Sequence, residues 1–231
     1  MERSAQPTGA IPGTQIELPR PLLRGWFHAA AAVIAVVFTI ALAIASWQDG
    51  QRLVSMLVFG LSMVELYTVS AIYHIGTWSP RVKRVLRSVD HTNIFVVIAG
   101  TYTAICFNVL DGWIRDTILI VIWLLAIFGL ILAIFKPRVP RWVGTGIYIG
   151  MGWVIVLALP SLLAALPWQA LTVLAIGGVL YTLGAVVYAL KRPNPFPKVL
   201  GFHEVFHLFV IAGSVAHSIV VWIWVLPYPR A

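Results

Sequence analysis

Residues 203–226 open on His203-Glu204-Val205-Phe206-His207 and continue as LFVIAGSVAHSIVVWIWVL. A run of that length and apolarity crosses the roughly 30 Å hydrocarbon core of a bilayer as a single helix. Its opening carries two imidazoles where a membrane helix ordinarily carries Leu or Val. Side chains at i and i+4 leave a helix on the same face, so His203 and His207 point together. Ionisable groups at membrane depth are costly and mark sites, and this spacing is that of a metal-ligand pair.

Composition places the rest of the chain in the same solvent. Sixty per cent of the 231 residues are apolar and only 10% are charged. The mean hydropathy of +0.92 belongs to polytopic membrane proteins, and ten Trp suit headgroup anchoring. A formal charge of +8 raises the question of nucleic acid, but no basic segment is long or interleaved with aromatics. The charges fall in short loops between apolar runs, which membrane topology explains better, and no nucleic-acid partner is expected. The single Cys106 lies within an apolar run, so an internal disulfide and a cysteine-based zinc site are both excluded.

Apolar stretches of spanning length occur at about 26–46, 53–75, 92–110, 116–135, 143–165, 168–190 and 203–226. The expectation is an all-α, seven-transmembrane helix bundle forming one domain over 26–226, since the loops leave no room for a second. Residues 1–25, with Pro7, Pro12, Pro19 and Pro21, read as a flexible cytoplasmic tail, and 227–231 as a short outside tail. Ala43-Ile44-Ala45 resembles a signal-peptide cleavage site, but the run before it exceeds a typical signal core, so an uncleaved first helix is expected. No internal repeat divides the chain as in many transporters.

Basic residues set the orientation. Arg3, Arg20 and Arg24 precede the first span; Arg81, Lys83, Arg84 and Arg87 lie between the second and third; Lys136, Arg138 and Arg141 between the fourth and fifth; Lys191, Arg192 and Lys198 between the sixth and seventh. The other side holds Arg52, Arg115 and Arg230. Thirteen against three puts the N-terminus in the cytoplasm and the C-terminus outside.

That orientation brings Ser70 and His74 at the end of the second span, Asp90 and His91 at the start of the third, and His203 and His207 at the start of the seventh to one cytoplasmic layer. Three imidazoles suit Zn²⁺, leave a fourth coordination position, and let the ion lower the pKa of water to about 7. Asp90 is then placed to orient or deprotonate that water, and Ser70 to hydrogen-bond it or a polarised carbonyl.

These residues resemble a known family. Ser70-x-x-x-His74, Asp90 and His203-x-x-x-His207, in that order on those spans, look like the signature of hemolysin III and the adiponectin/progestin receptor family, part of a membrane-hydrolase superfamily that includes alkaline ceramidases. Arg24-Gly25-Trp26-Phe27-His28, Ser70-Ala71-Ile72-Tyr73-His74 and Gly201-Phe202-His203 resemble the bacterial hemolysin III branch. The resemblance implies zinc held by His74, His203 and His207, a metal-bound water held by Asp90, and Ser70 lining the site. It also implies membrane lipids as partners, an acyl-lipid substrate and residence in the bacterial cytoplasmic membrane. Hormone binding is not carried over, because the short Pro-rich tail is no receptor extension.

The leading function is therefore zinc-dependent hydrolysis of a lipid amide or ester. A receptor-like lipid sensor with structural zinc uses the same ligands. A cytolytic pore follows from the family's name, although polar residues clustered at one end do not line a path. His203-Glu204-x-x-His207 also satisfies the HExxH metalloprotease pattern, with Glu204 as base or as a bystander reaching headgroups. Glu65 is expected to be neutral or to face a wet cavity, and His28 and His91 to support the site. His217 is expected to hydrogen-bond between helices. Glycines 144, 146, 150 and 152 in the fifth span, and 177, 178 and 184 in the sixth, are expected to permit close helix packing.

Overall fold

The computed structural model describes residues 21–135 and 140–229. Residues 1–20, 136–139 and 230–231, which include most of the expected N-terminal tail and part of the C-terminal one, lie outside them. Among the described residues eight α-helices follow in order: α1 Trp26–Ala45, α2 Gly50–Ile75, α3 Pro80–Val109, α4 Gly112–Phe135, α5 Arg141–Trp153, α6 Leu159–Ala165, α7 Trp168–Leu190 and α8 Phe202–Val220. α5, a 3-10 turn over Val154–Ala158 and α6 form one crossing, and a π turn over Val221–Val225 extends α8, giving seven helices long and apolar enough to span a membrane. No strand occurs among the described residues.

The bundle is apolar outside and carries much of its polarity inside. Val33, Ile34, Val37 and Ile44 on α1, and Ile120, Leu124, Ile127 and Ile131 on α4, are exposed, whereas Thr39, Ser55, Ser62, Ser70, Thr92, Asn93 and Asn108 are buried. Only lipid makes such an outer surface favourable. Exposed Trp26, Trp78 and Trp142 lie toward one end of the bundle and Trp47, Trp113 and Trp168 toward the other, marking two headgroup layers.

α1 packs on α2, α2 on α3 and α3 on α4, while α7 packs on α8 and α8 returns to touch α1. Small residues set several of these distances. A Cβ at Gly60 would lie 2.5 Å from Thr39 Oγ1, and one at Gly184 would lie 2.8 Å from Phe209 Cβ. The glycines of α5 do otherwise: Gly146, Gly150 and Gly152 have nothing within 4 Å of that position, and Gly144 meets only Tyr148 of its own helix, at 4.0 Å. They do not bring helices together as expected. Gly152 instead lines a cavity, as does Gly178 on α7.

α3 begins twelve residues before the apolar run that signalled it, at Pro80 rather than 92. Ser79 caps it, its Oγ accepting from Val82 N, and Pro80 takes the first helical position, where a missing N–H costs nothing. At 30 residues it is about 45 Å long, so its exposed basic first turns project beyond the hydrocarbon.

The crossing formed by α5 and α6 is irregular because of Pro160, which lacks an N–H and crowds the carbonyl four residues back. Tyr102 of α3 serves the loosened backbone: its hydroxyl donates toward the Gly152 carbonyl at 2.8 Å and accepts from Ile155 N at 2.7 Å. One buried side chain thus pins the fifth crossing to the third.

Candidate metal centre

His74 sits in the last turn of α2, and His203 and His207 in the first two turns of α8. Their rings converge, with His74 Nε2 and His203 Nε2 2.9 Å apart and one nitrogen from each of the three rings lying within 4.8 Å of the others. Tetrahedral coordination at 2.0–2.1 Å places ligand nitrogens roughly 3.3 Å apart, so small ring movements admit an ion. His207 Nδ1 is moreover buried without a hydrogen-bond partner. Three imidazoles facing one another with a ring nitrogen unsatisfied form a donor set suited to a metal ion, and these three histidines could hold one.

Asp90 and Ser70 border the cluster. Asp90 Oδ2 lies 3.8 Å from His74 Nε2, and the buried Ser70 stands on the same cavity wall as Asp90. Ser70, Asp90, His203 and His207 all line one cavity of about 140 Å³ whose remaining wall is mostly apolar. The arrangement is chemically asymmetric. Nitrogen ligands, a carboxylate and a hydroxyl stand at one end of a space shaped for hydrocarbon.

His91 joins through partners that the sequence did not announce. Its Nδ1 lies 2.7 Å from the Arg87 carbonyl, which only accepts, so Nδ1 is the donor and Nε2 accepts from the Tyr188 hydroxyl at 3.2 Å. Tyr148 donates to the His91 carbonyl at 3.1 Å, fixing the same turn from α5. Nothing in their spacing distinguishes these two tyrosines from headgroup anchors.

The N-terminal approach is built into the site. Of the expected tail, residues 21–25 are held: Leu22 N donates to the Lys198 carbonyl and Leu23 N to the Val199 carbonyl, at 3.0 and 3.3 Å. Arg24 Nε meets Glu204 Oε1 at 2.6 Å, and Glu204 Oε2 accepts from Gly201 N at 2.8 Å. Gly25 has φ +86°, and a Cβ there would lie 2.9 Å from His74 Cβ, so both backbone shape and close approach require glycine. Three residues on, His28 stacks on His207 with centroids 3.7 Å apart and planes 11° from parallel, restricting the His207 ring. Arg24-Gly25-Trp26-Phe27-His28 contained the available signal; its meaning depended on where the segment lies.

Other expectations change. Both Glu204 oxygens are occupied by Arg24 and Gly201 and the residue is fully buried, which removes it from the role of general base in an HExxH site. Glu65 is exposed on α2 and does not line the cavity. His217 bonds within its own helix, Nδ1 to the Gly213 carbonyl at 2.8 Å, rather than to another.

Comparison with known proteins gives a consistent result. A family model described as haemolysin-III related matches residues 16–218. The chain is 35% identical over 185 residues to the hemolysin-3 homolog of Bacillus subtilis (strain 168), covering 80% of this chain and 83% of that one. It is 35% identical over 202 residues to hemolysin-3 of Bacillus cereus, covering 87% and 89%. Similarity extends at 28% identity over 173 residues to the human monocyte to macrophage differentiation factor, covering 71% and 68%.

Proposed function

The chain belongs to the haemolysin III family of integral membrane proteins, within the wider haemolysin III and progestin/adipoQ receptor group, and from that premise we propose that it is a zinc-dependent hydrolase of lipid amide or ester bonds. Its proposed place is the bacterial cytoplasmic membrane, with the histidine cluster at the cytoplasmic layer. The observation that carries the reading is three imidazoles with mutually accessible nitrogens at the polar end of an apolar cavity, bordered by Asp90 and Ser70.

His74, His203 and His207 would hold the ion. Zinc held by three imidazoles supplies a Lewis acid that polarises a carbonyl and makes water a nucleophile near neutral pH. The rest of the chemistry falls to the chain. The apolar wall takes the acyl tail, leaving its carbonyl beside the histidines. Asp90, 3.8 Å from His74 Nε2, accepts a proton from the attacking water and returns it to the departing amine or alcohol as the C–N or C–O bond breaks. Ser70, on the same cavity wall, would orient the Asp90 carboxyl or the substrate carbonyl. His28 and Tyr188 restrict ring motion around the cluster.

Purified protein is expected to contain one zinc per chain and to release fatty acid from acyl amides or esters in mixed micelles. Asp90→Ala is expected to retain zinc and lose release at least a hundredfold. Zinc-replete protein whose release is undiminished by that substitution would sink the reading, and zinc without any release would favour a lipid sensor with structural metal. The name of the Bacillus cereus relative, hemolysin-3, motivates a lytic alternative. Zinc-independent leakage from liposomes containing the purified chain would favour it.

A further inference from the structure

The cavity does not end at the histidine cluster. Beyond it lies a second, of about 220 Å³, lined by Ile105, Leu159, Leu162, Leu171 and Leu174, and the two share Thr101, Tyr102, Gly152, Trp153, Gly178 and His217. Ten residues of α8 separate His217 from His207, so this junction lies about 15 Å deeper along the helix.

Polar groups are scarce there, and the side-chain hydrogens of Thr101, Tyr102 and Trp153 are all already donated. Thr101 Oγ1 donates to the Val97 carbonyl at 2.8 Å, the Tyr102 hydroxyl serves Gly152 and Ile155, and Trp153 Nε1 donates to Thr182 Oγ1 at 3.1 Å. His217 differs. Its Nδ1 lies 2.8 Å from the Gly213 carbonyl, which can only accept, so Nδ1 carries the ring proton. Nε2 of the neutral ring is then an acceptor, and no described residue donates to it.

The ring is fixed. Gly177 admits it against the α7 backbone, where a Cβ would lie 2.5 Å from Cε1. Tyr181 stacks on it at 5.4 Å with planes 27° apart, and the Tyr181 hydroxyl is itself held 2.7 Å from Ser214 Oγ. Water is a poor occupant of an apolar junction that offers it few acceptors and no free side-chain donor, because a buried water typically makes about three hydrogen bonds. A chain with its own hydroxyl at this depth brings the donor and leaves the remaining walls to hydrocarbon.

We propose that His217 is a binding subsite for a hydroxyl group carried on an acyl chain about 15 Å from the histidine cluster, so that the cavity selects hydroxylated chains. This rests on reading the cavity as the acyl-chain site. Binding measures it independently of turnover: the full chain in detergent or nanodiscs is titrated with ω-hydroxydodecanoate and with dodecanoate, each displacing a fluorescent fatty acid. The wild type is expected to bind the hydroxylated chain about fivefold more tightly, the net worth of one hydrogen bond. His217→Phe keeps an aromatic ring against Tyr181 without the acceptor. It is expected to bind both chains equally.

Equal binding by the wild type, binding of neither chain, or a preference that survives in His217→Phe would overturn the proposal. Selective binding without fatty-acid release supports the subsite and counts against the hydrolase reading. Release from acyl lipids with no chain selectivity counts against the subsite alone.

Discussion

Breaking the Arg24–Glu204 pair by Glu204→Gln is expected to lower stability by about 2 kcal/mol, read as a fall in the melting temperature of the solubilised protein. Removing one partner of a buried pair strands the other, but the Arg24 side chain keeps 23% exposure, so water offsets part of that cost. Zinc content is expected to hold at one per chain and fatty-acid release to persist at temperatures where the protein stays folded. A general base would behave in the opposite way, losing release with stability unchanged. The HExxH spacing was plain in the sequence, and so was the metal-ligand character of its two histidines. The guanidinium 180 residues away was not, because only the docking of residues 21–25 on the loop before α8 brings Arg24 to Glu204. The same docking puts His28 on His207, a contact that no helical spacing encodes.

Among the elements, the fifth crossing depends most on a neighbour. Tyr102→Phe is expected to cost about 1–2 kcal/mol, because the carbonyl of Gly152 and the N–H of Ile155 lose their partner inside the bundle. With Pro160→Ala, α-helical bonding can continue through the 3-10 turn, so the same Tyr102→Phe change is expected to cost less. A double-mutant cycle by thermal unfolding checks this, and equal costs in both backgrounds would refute it. Hydropathy located all seven crossings but misplaced the start of α3. Its first turns carry Arg81, Lys83, Arg84 and Arg87 and therefore lack the apolar signal, although Ser79-Pro80 is a readable helix start. The α5 glycines misled for a related reason. Spacing says that a face is small, but whether a helix or a cavity lies against it is decided by the partner.

For the molecule as a whole, the charge asymmetry predicts the side from which the metal centre is reached. In a Cys106→Ala background, one cysteine at Ser79 and another at Tyr228 report on opposite ends of the bundle. A membrane-impermeant thiol reagent added to intact cells is expected to label the Tyr228 site and to spare the Ser79 site until the membrane is opened. Labelling of the Ser79 site first would reverse the orientation and put the histidine cluster outside. The sequence by itself determined the solvent, the number of crossings and the polar residues near one end, because the cost of charge in hydrocarbon depends on local composition and span length. Tertiary structure alone decided that three rings from α2 and α8 share one point, that Glu204 turns to Arg24, and that His217 overlooks the deeper cavity. Those relations depend on how each helix is rotated and docked. Packing between distant segments sets that rotation, and periodicity within one segment does not fix it.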